Sequence, residues 1–229
     1  MHENLVRIKA VYQALKGLEQ DYVFVGGATV SLYATSPDLA AEIRPTDDVD
    51  IVVELASYKG YAAFDERLRK LGFSNDIVSG VICRYTIQGV IVDIMPTDPS
   101  IIGFSNRWYA EGFESAVPYV LDEQTTVRIF SLPYFVASKW EAFKGRGKKD
   151  YRTSKDFEDL VYVFENSDDF EEQIQVSPDH VISYLRNEFV KLIDQDDFEE
   201  GLYAHLSGGY GGVNADYIRI RLQTAFNII

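Results

Sequence analysis

The stretch from Val23 to Glu54 constrains the fold more than any other part of the chain. It reads Val-Phe-Val into Gly26-Gly27, then, after a polar connection and an Arg44-Pro-Thr-Asp turn, Asp48-Val49-Asp50 opening the apolar run Ile51-Val52-Val53. Side chains alternate across a strand, so Asp48 and Asp50 share a face at its mouth and Asp47 points to the other. Further on, Asp93 lies inside the apolar run Val90–Met95, where a charge is costly unless it is paired or metal-bound. Gly26-Gly27 fall at a strand-to-helix turn, where bare backbone permits close approach and helix N–H groups favour anions. Three carboxylates and a Gly-Gly turn suit a hard divalent cation, Mg²⁺ or Mn²⁺, holding phosphate oxygens.

Periodicity supplies the rest of the architecture. Apolar positions at Leu5, Ile8, Val11, Tyr12, Leu15 and Leu18 mark one face of a helix over 3–19. A strand over 22–25, a helix over 28–34, a loop over 36–45 with a possible helical turn at 39–43, and a strand over 49–55 follow. Ser57 caps a helix that Gly72 stops. Runs at 73–78, 81–87 and 90–95 read as strands joined by tight turns at Ser79-Gly80 and Gln88-Gly89, which lays the Asp93 strand in one mixed sheet. A loop over 96–104, a helix over 106–116 and short strands at 119–121 and 126–130 complete an α/β half. From Leu132 the pattern is helical: 133–147, 154–166, 177–193, 196–206 and 215–227. The expected organisation is a mixed-sheet core over 1–131 and a C-terminal helical bundle over 132–229.

Composition excludes several classes. A hydrophobic fraction of 46% and a charged fraction of 25% are ordinary globular values. No stretch approaches the roughly 18 apolar residues of a membrane span, and the N-terminus is a helix pattern broken by charge, so a cytoplasmic protein without a membrane partner is expected. The lone cysteine, Cys83, excludes an internal disulfide and reads as a core thiol. Net charge is −14, concentrated at 156–200, where fifteen acidic residues face only Arg186 and Lys191. That balance opposes broad binding to nucleic acid. Residues 139–155 reverse it, with seven basic residues against Glu141 and Asp150, a segment that suits a triphosphate or an RNA end as well as it suits a solvated helix end. Ser207–Gly212 (SGGYGG) lacks a following Lys-Ser/Thr and reads as a connection, and His2, His180 and His205 are scattered.

Gly26-Gly27, Asp48-x-Asp50 and the lone Asp93 on a later strand resemble the signature of the nucleotidyltransferase superfamily, which has a polymerase-β-like fold. Arg44-x-Thr46-x-Asp48-Val49-Asp50 is closer to one branch, the AbiEii-type toxin nucleotidyltransferases of bacteria. A second block resembles that family's helical Lys and Arg-Asp motifs: Leu132-Pro133-Tyr134, Ala137-x-Lys139-x-x-Ala142, Arg146, Lys155-Asp156 and Asp159-Leu160. The segment 147–154 looks longer than the family's spacer, so either Asp156 or Asp159 matches the motif.

The resemblance implies a Mg²⁺-dependent enzyme moving an NMP from an NTP to RNA, notably tRNA ends, or to protein, in a toxin–antitoxin or phage-defence setting with a cognate antitoxin. It implies that Asp48, Asp50 and Asp93 are catalytic metal ligands, and that Asp93 also accepts the proton of the attacking hydroxyl. Gly26, Gly27, Thr29, Arg44, Thr46, Lys139, Arg146, Asp156 and Asp159 are its expected nucleotide-binding residues. The residues alone leave alternatives: Arg44 in a salt bridge, Lys139 snorkelling from an apolar helix face to solvent, and Asp156 and Asp159 orienting Lys139 or Arg146. Two rival functions also stand, an antibiotic-modifying transferase and a catalytically weak member acting as a binding partner.

Overall fold

Alternating apolar runs build the strands, and turn chemistry decides where they stop. The computed structural model describes residues 2–36, 43–55, 57–146, 150–207 and 215–228. Its chain contacts divide into two compact units, Met1–Thr29 with Arg44–Ser131, and Val30–Ile43 with Leu132–Ile229.

The first unit holds helix α1 (Glu3–Ala14), strands β1 (Tyr22–Val25) and β2 (Asp48–Val53), helix α2 (Tyr58–Lys70), and strands β3 (Ser74–Asn75), β4 (Arg84–Ile87) and β5 (Val90–Pro96). Short helices α3 (Pro99–Ile102) and α4 (Tyr109–Glu114) and strands β6 (Val117–Asp122) and β7 (Thr125–Ile129) complete it. The seven strands form one mixed sheet ordered β3-β4-β5-β2-β1-β7-β6. β2 runs parallel to β5 and antiparallel to β1, so it is central, and Val49, Ile51 and Val52 are fully buried. Burial of each such side chain contributes about 1.5–3 kcal/mol. Gln88 (φ 50°) and Gly89 (φ 82°) both adopt the left-handed region and close the β4–β5 hairpin as a two-residue primed turn.

The strand expected over 73–78 shortens to β3, because Asp76 folds the chain back. Its carboxylate accepts from the Ser79 N–H at 3.1 Å, and the Ser79 hydroxyl donates to the Asp76 carbonyl at 3.0 Å. The expected tight turn at Ser79-Gly80 is therefore part of a longer connection to β4. The helix expected over 28–34 is a 3₁₀ helix, Gly27–Tyr33, and one helical turn, α3, interrupts the loop expected over 96–104. The helical turn at 39–43 and the glycine-rich 207–212 lie, apart from Ile43 and Ser207, outside the described residues.

The second unit contains α5 (Leu132–Arg146), α6 (Lys155–Asn166), α7 (Phe170–Gln175), α8 (Asp179–Phe189), α9 (Asp196–His205) and α10 (Ala215–Ala225). The sequence pattern did not announce α7. Phe189 packs against Trp140 and Phe226 with ring centroids 4.7 and 4.9 Å apart, and such pairs add about 0.5–1.5 kcal/mol beyond area burial. Among the described residues, no helix is long and apolar enough to cross a membrane.

Candidate active site

Strand register gathers the carboxylates. Asp50 on β2 pairs with Asp93 on β5, and Asp93 pairs in turn with Arg84 on β4. Register partners on neighbouring strands project to one face, and Asp48 joins them two residues before Asp50. Asp48 and Asp50 are half-buried and Asp93 is 9% exposed, so the row lies at the edge of the apolar core.

Gly26 completes the row from the β1 side. β1 ends with Val25 paired to Asp50, and Gly26 turns away at φ 74°. A Cβ built on Gly26 would stand 1.9 Å from Asp50 Oδ2 and 2.6 Å from its Cγ. The Asp50 carboxylate therefore rests on backbone that only glycine leaves open. Thr29 and Thr46, expected to touch nucleotide, are both buried. The Thr29 hydroxyl donates to the Gly26 carbonyl at 2.9 Å, closing the turn. The Thr46 hydroxyl donates to the Asp48 carbonyl at 3.0 Å, and its N–H donates to Asn4 Oδ1 at 2.9 Å. Both threonines thus shape the backbone beside the acids. Arg44 is half-buried, and its carbonyl accepts from Asn4 Nδ2 at 3.3 Å.

The residue that sequence reasoning passed over is Arg84. Its Nε donates to Asp93 Oδ1 at 2.8 Å and its Nη2 to Asp93 Oδ2 at 2.7 Å, a two-pronged pair, and Nη2 also reaches Asp48 Oδ2 at 3.3 Å. The Asp93 hydrogen bonds hold the guanidinium proton more tightly than usual. Among the described residues, no three His, Cys, Asp or Glu side chains form a ready-made metal cage. Both Asp93 oxygens, expected to ligate metal, accept hydrogen bonds from Arg84. The signal was present in the sequence: a two-residue turn at Gln88-Gly89 pairs Ile87 with Val90, and counting back sets Arg84 opposite Asp93.

In the second unit, Lys139 is only 6% exposed and does not snorkel. Its Nζ lies 2.5 Å from Asp159 Oδ2 and 3.2 Å from Asp156 Oδ1. Arg146 grips Asp156 with Nε at 2.8 Å and Nη2 at 2.9 Å, while 74% of its own side chain is exposed. Burial alone would raise the Asp156 carboxyl, but the Arg146 and Lys139 contacts outweigh it and hold it below the usual carboxylate range. Ser154 caps α6 by accepting from the Phe157 N–H, and the three-residue spacing places both acids on one side of the first turn. Both aspartates therefore bind the lysine, and Asp156 also binds the arginine.

Residues 9–207 match the family model described as nucleotidyl transferase AbiEii toxin, type IV TA system. No curated protein sequence matches at a significant level. Among solved structures, the crystal structure of an antigenic nucleotidyltransferase-like protein from Paracoccidioides brasiliensis aligns with a TM-score of 0.48 and 15% identity, over 93% of this chain and 99% of that one. The family match spans both the carboxylate-bearing sheet and the buried Lys139 cluster, and on that extent this chain is a nucleotidyltransferase of the AbiEii toxin family, type IV toxin–antitoxin.

Proposed function

We propose that the chain moves an NMP from an NTP to an acceptor on RNA, notably a tRNA end, or on a protein side chain, and slows bacterial growth through that transfer. The observation that carries this reading is the common face shared by Asp48, Asp50 and Asp93, with the Gly26 backbone against the Asp50 carboxylate. Hard oxygen donors beside a side-chain-free turn fit a divalent cation with phosphate. Asp48 and Asp50 would hold it, since Mg²⁺ is commonly bound by one or two carboxylates plus substrate phosphates. When bound, such a cation offsets triphosphate charge and lowers the pKa of an attacking hydroxyl. Asp93, expected as a third ligand and proton acceptor, is better read through its pairing with Arg84.

The chain's own groups then have distinct tasks. Backbone N–H groups at Gly26 and Gly27 receive phosphate oxygens at the head of the 3₁₀ helix. Thr29 and Thr46 fix that turn and the mouth of β2. In the second unit, Arg146 is the exposed cation suited to a phosphate, oriented by Asp156, and Lys139 neutralises the buried acids behind it. A type IV toxin–antitoxin family also supports a cognate antitoxin as partner.

The test incubates wild type and Asp50→Asn with each α-labelled NTP and Mg²⁺, against total tRNA, total protein and aminoglycoside-like small molecules, alongside induced expression in a bacterium. Label on RNA or protein and growth arrest, both lost in Asp50→Asn, are expected. Equal toxicity from both proteins would reject the enzymatic account, and label on a small molecule without growth arrest would establish the antibiotic-modifying rival.

A further inference from the structure

We infer that Arg84 is a fixed phosphate-binding guanidinium of the active site and that Asp93 is its holder, a positioning residue outside the metal's ligand set. This rests on the proposed nucleotidyl transfer and assigns two residues within it.

Arg84 and Asp93 are register partners in a hairpin closed by a two-residue turn, so their side chains are neighbours before any ligand arrives. The guanidinium fork meets both carboxylate oxygens at 2.8 and 2.7 Å, the planar match for which arginine is suited and lysine is not. Asp93 is 12% exposed in its side chain, and a divalent cation would have to break that fork to claim it. Breaking it would leave the Arg84 guanidinium beside an incoming cation, a like-charge contact. Asp48 meets Arg84 through Oδ2 alone, so the fork does not engage both of its oxygens.

Arg84 still has a donor to offer. Its Nε and Nη2 serve the carboxylates, and Nη1 has no acceptor among the described residues. The side chain is 23% exposed and lies on the sheet face that carries Asp48 and Asp50. A nonesterified phosphate oxygen is an acceptor that suits a half-buried, permanently charged donor. A cation held at Asp48 and Asp50 and a guanidinium fixed by Asp93 would neutralise a polyphosphate from two sides. The ligand chemistry is therefore the triphosphate group, independent of the base.

The experiment separates metal from phosphate. Mn²⁺ binding without nucleotide is followed by electron paramagnetic resonance, and Mg²⁺-tripolyphosphate binding by calorimetry, for wild type, Arg84→Gln, Arg84→Lys, Asp93→Asn and Asp50→Asn. Arg84→Gln and Asp93→Asn should weaken tripolyphosphate binding by about tenfold or more, the scale of one charge-assisted hydrogen bond. Both should lose clearly less Mn²⁺ affinity than Asp50→Asn does, because neither removes a metal ligand, although Arg84 touches Asp48 and so tunes it. Arg84→Lys should recover part of the phosphate affinity. If Arg84→Gln fails to fold, the double variant Arg84→Gln/Asp93→Asn removes both charges and is held to the same outcome. Loss of Mn²⁺ in Asp93→Asn equal to that in Asp50→Asn would overturn the inference, because Asp93 would be a metal ligand. Wild-type tripolyphosphate affinity in Arg84→Gln would also overturn it, leaving Arg84 a strut. Undiminished Mn²⁺ binding in Asp50→Asn would instead sink the metal reading on which the inference rests.

Discussion

Gly26→Ala tests whether the turn and the carboxylate act as one unit. Two costs are separable. The residue sits at φ 74°, and holding an L side chain there costs about 1–3 kcal/mol. The new methyl would also lie 1.9 Å from Asp50 Oδ2, so the carboxylate must retreat by about 1 Å or more before contact becomes tolerable. Misplacement of about 1 Å in a catalytic group can cost about 10²-fold in rate. Gly80 provides the control: its φ is 72°, and a Cβ there meets nothing within 4 Å, so Gly80→Ala carries the backbone cost alone. We expect both variants to lose thermal stability, by roughly 2–4 °C per kcal/mol for a chain of this size. Only Gly26→Ala should lose Mn²⁺ affinity and about 10²-fold in nucleotidyl transfer. The measurement is a melting curve, an Mn²⁺ titration and a labelled-NTP assay on the three proteins. Wild-type Mn²⁺ affinity and turnover in Gly26→Ala would refute the reasoning, because Asp50 would then not depend on the bare turn.

The remaining predictions concern burial and charge. Lys139→Ala removes the buried cation that Asp156 and Asp159 share, so urea denaturation should show a loss of about 3–5 kcal/mol, and an unchanged midpoint would mean the cluster is not built around the lysine. Asp156 is held below its usual range when folded, so its contribution is present above about pH 4, the ordinary aspartate value, and is lost as pH falls through the lower folded value. Urea midpoints between pH 5 and pH 2 should therefore fall more steeply for wild type than for Asp156→Asn, and parallel curves would contradict the assignment. Cys83 is 2% exposed and burial pushes its thiol up to about 12, so a thiol reagent at pH 8 should label it only after denaturation. Rapid labelling of the native protein would show that the segment leading into β4 opens freely.

The local logic of the site was readable in the chain. Period-two spacing alone places Asp48 and Asp50 on one face, and a turn glycine before a helical run marks an anion-accepting backbone. The Gln88-Gly89 turn even fixes Arg84 opposite Asp93, a deduction available from counting residues and missed because the arginine sits in no recognised motif. Other errors were local competition: Asp76 and Ser79 drew the backbone into hydrogen bonds that ended β3 early. The apolar face of α5 was legible, but whether Lys139 escaped to solvent or stayed inside depended on where α6 brought Asp156 and Asp159. Sequence periodicity determined which residues share a face, because that follows from the geometry of a single strand or helix. Tertiary structure decided which faces meet. β2 lies parallel to β5 and sets Asp50 beside Asp93 across 43 positions of chain, and such pairing depends on the order in which distant strands join one sheet rather than on any local preference.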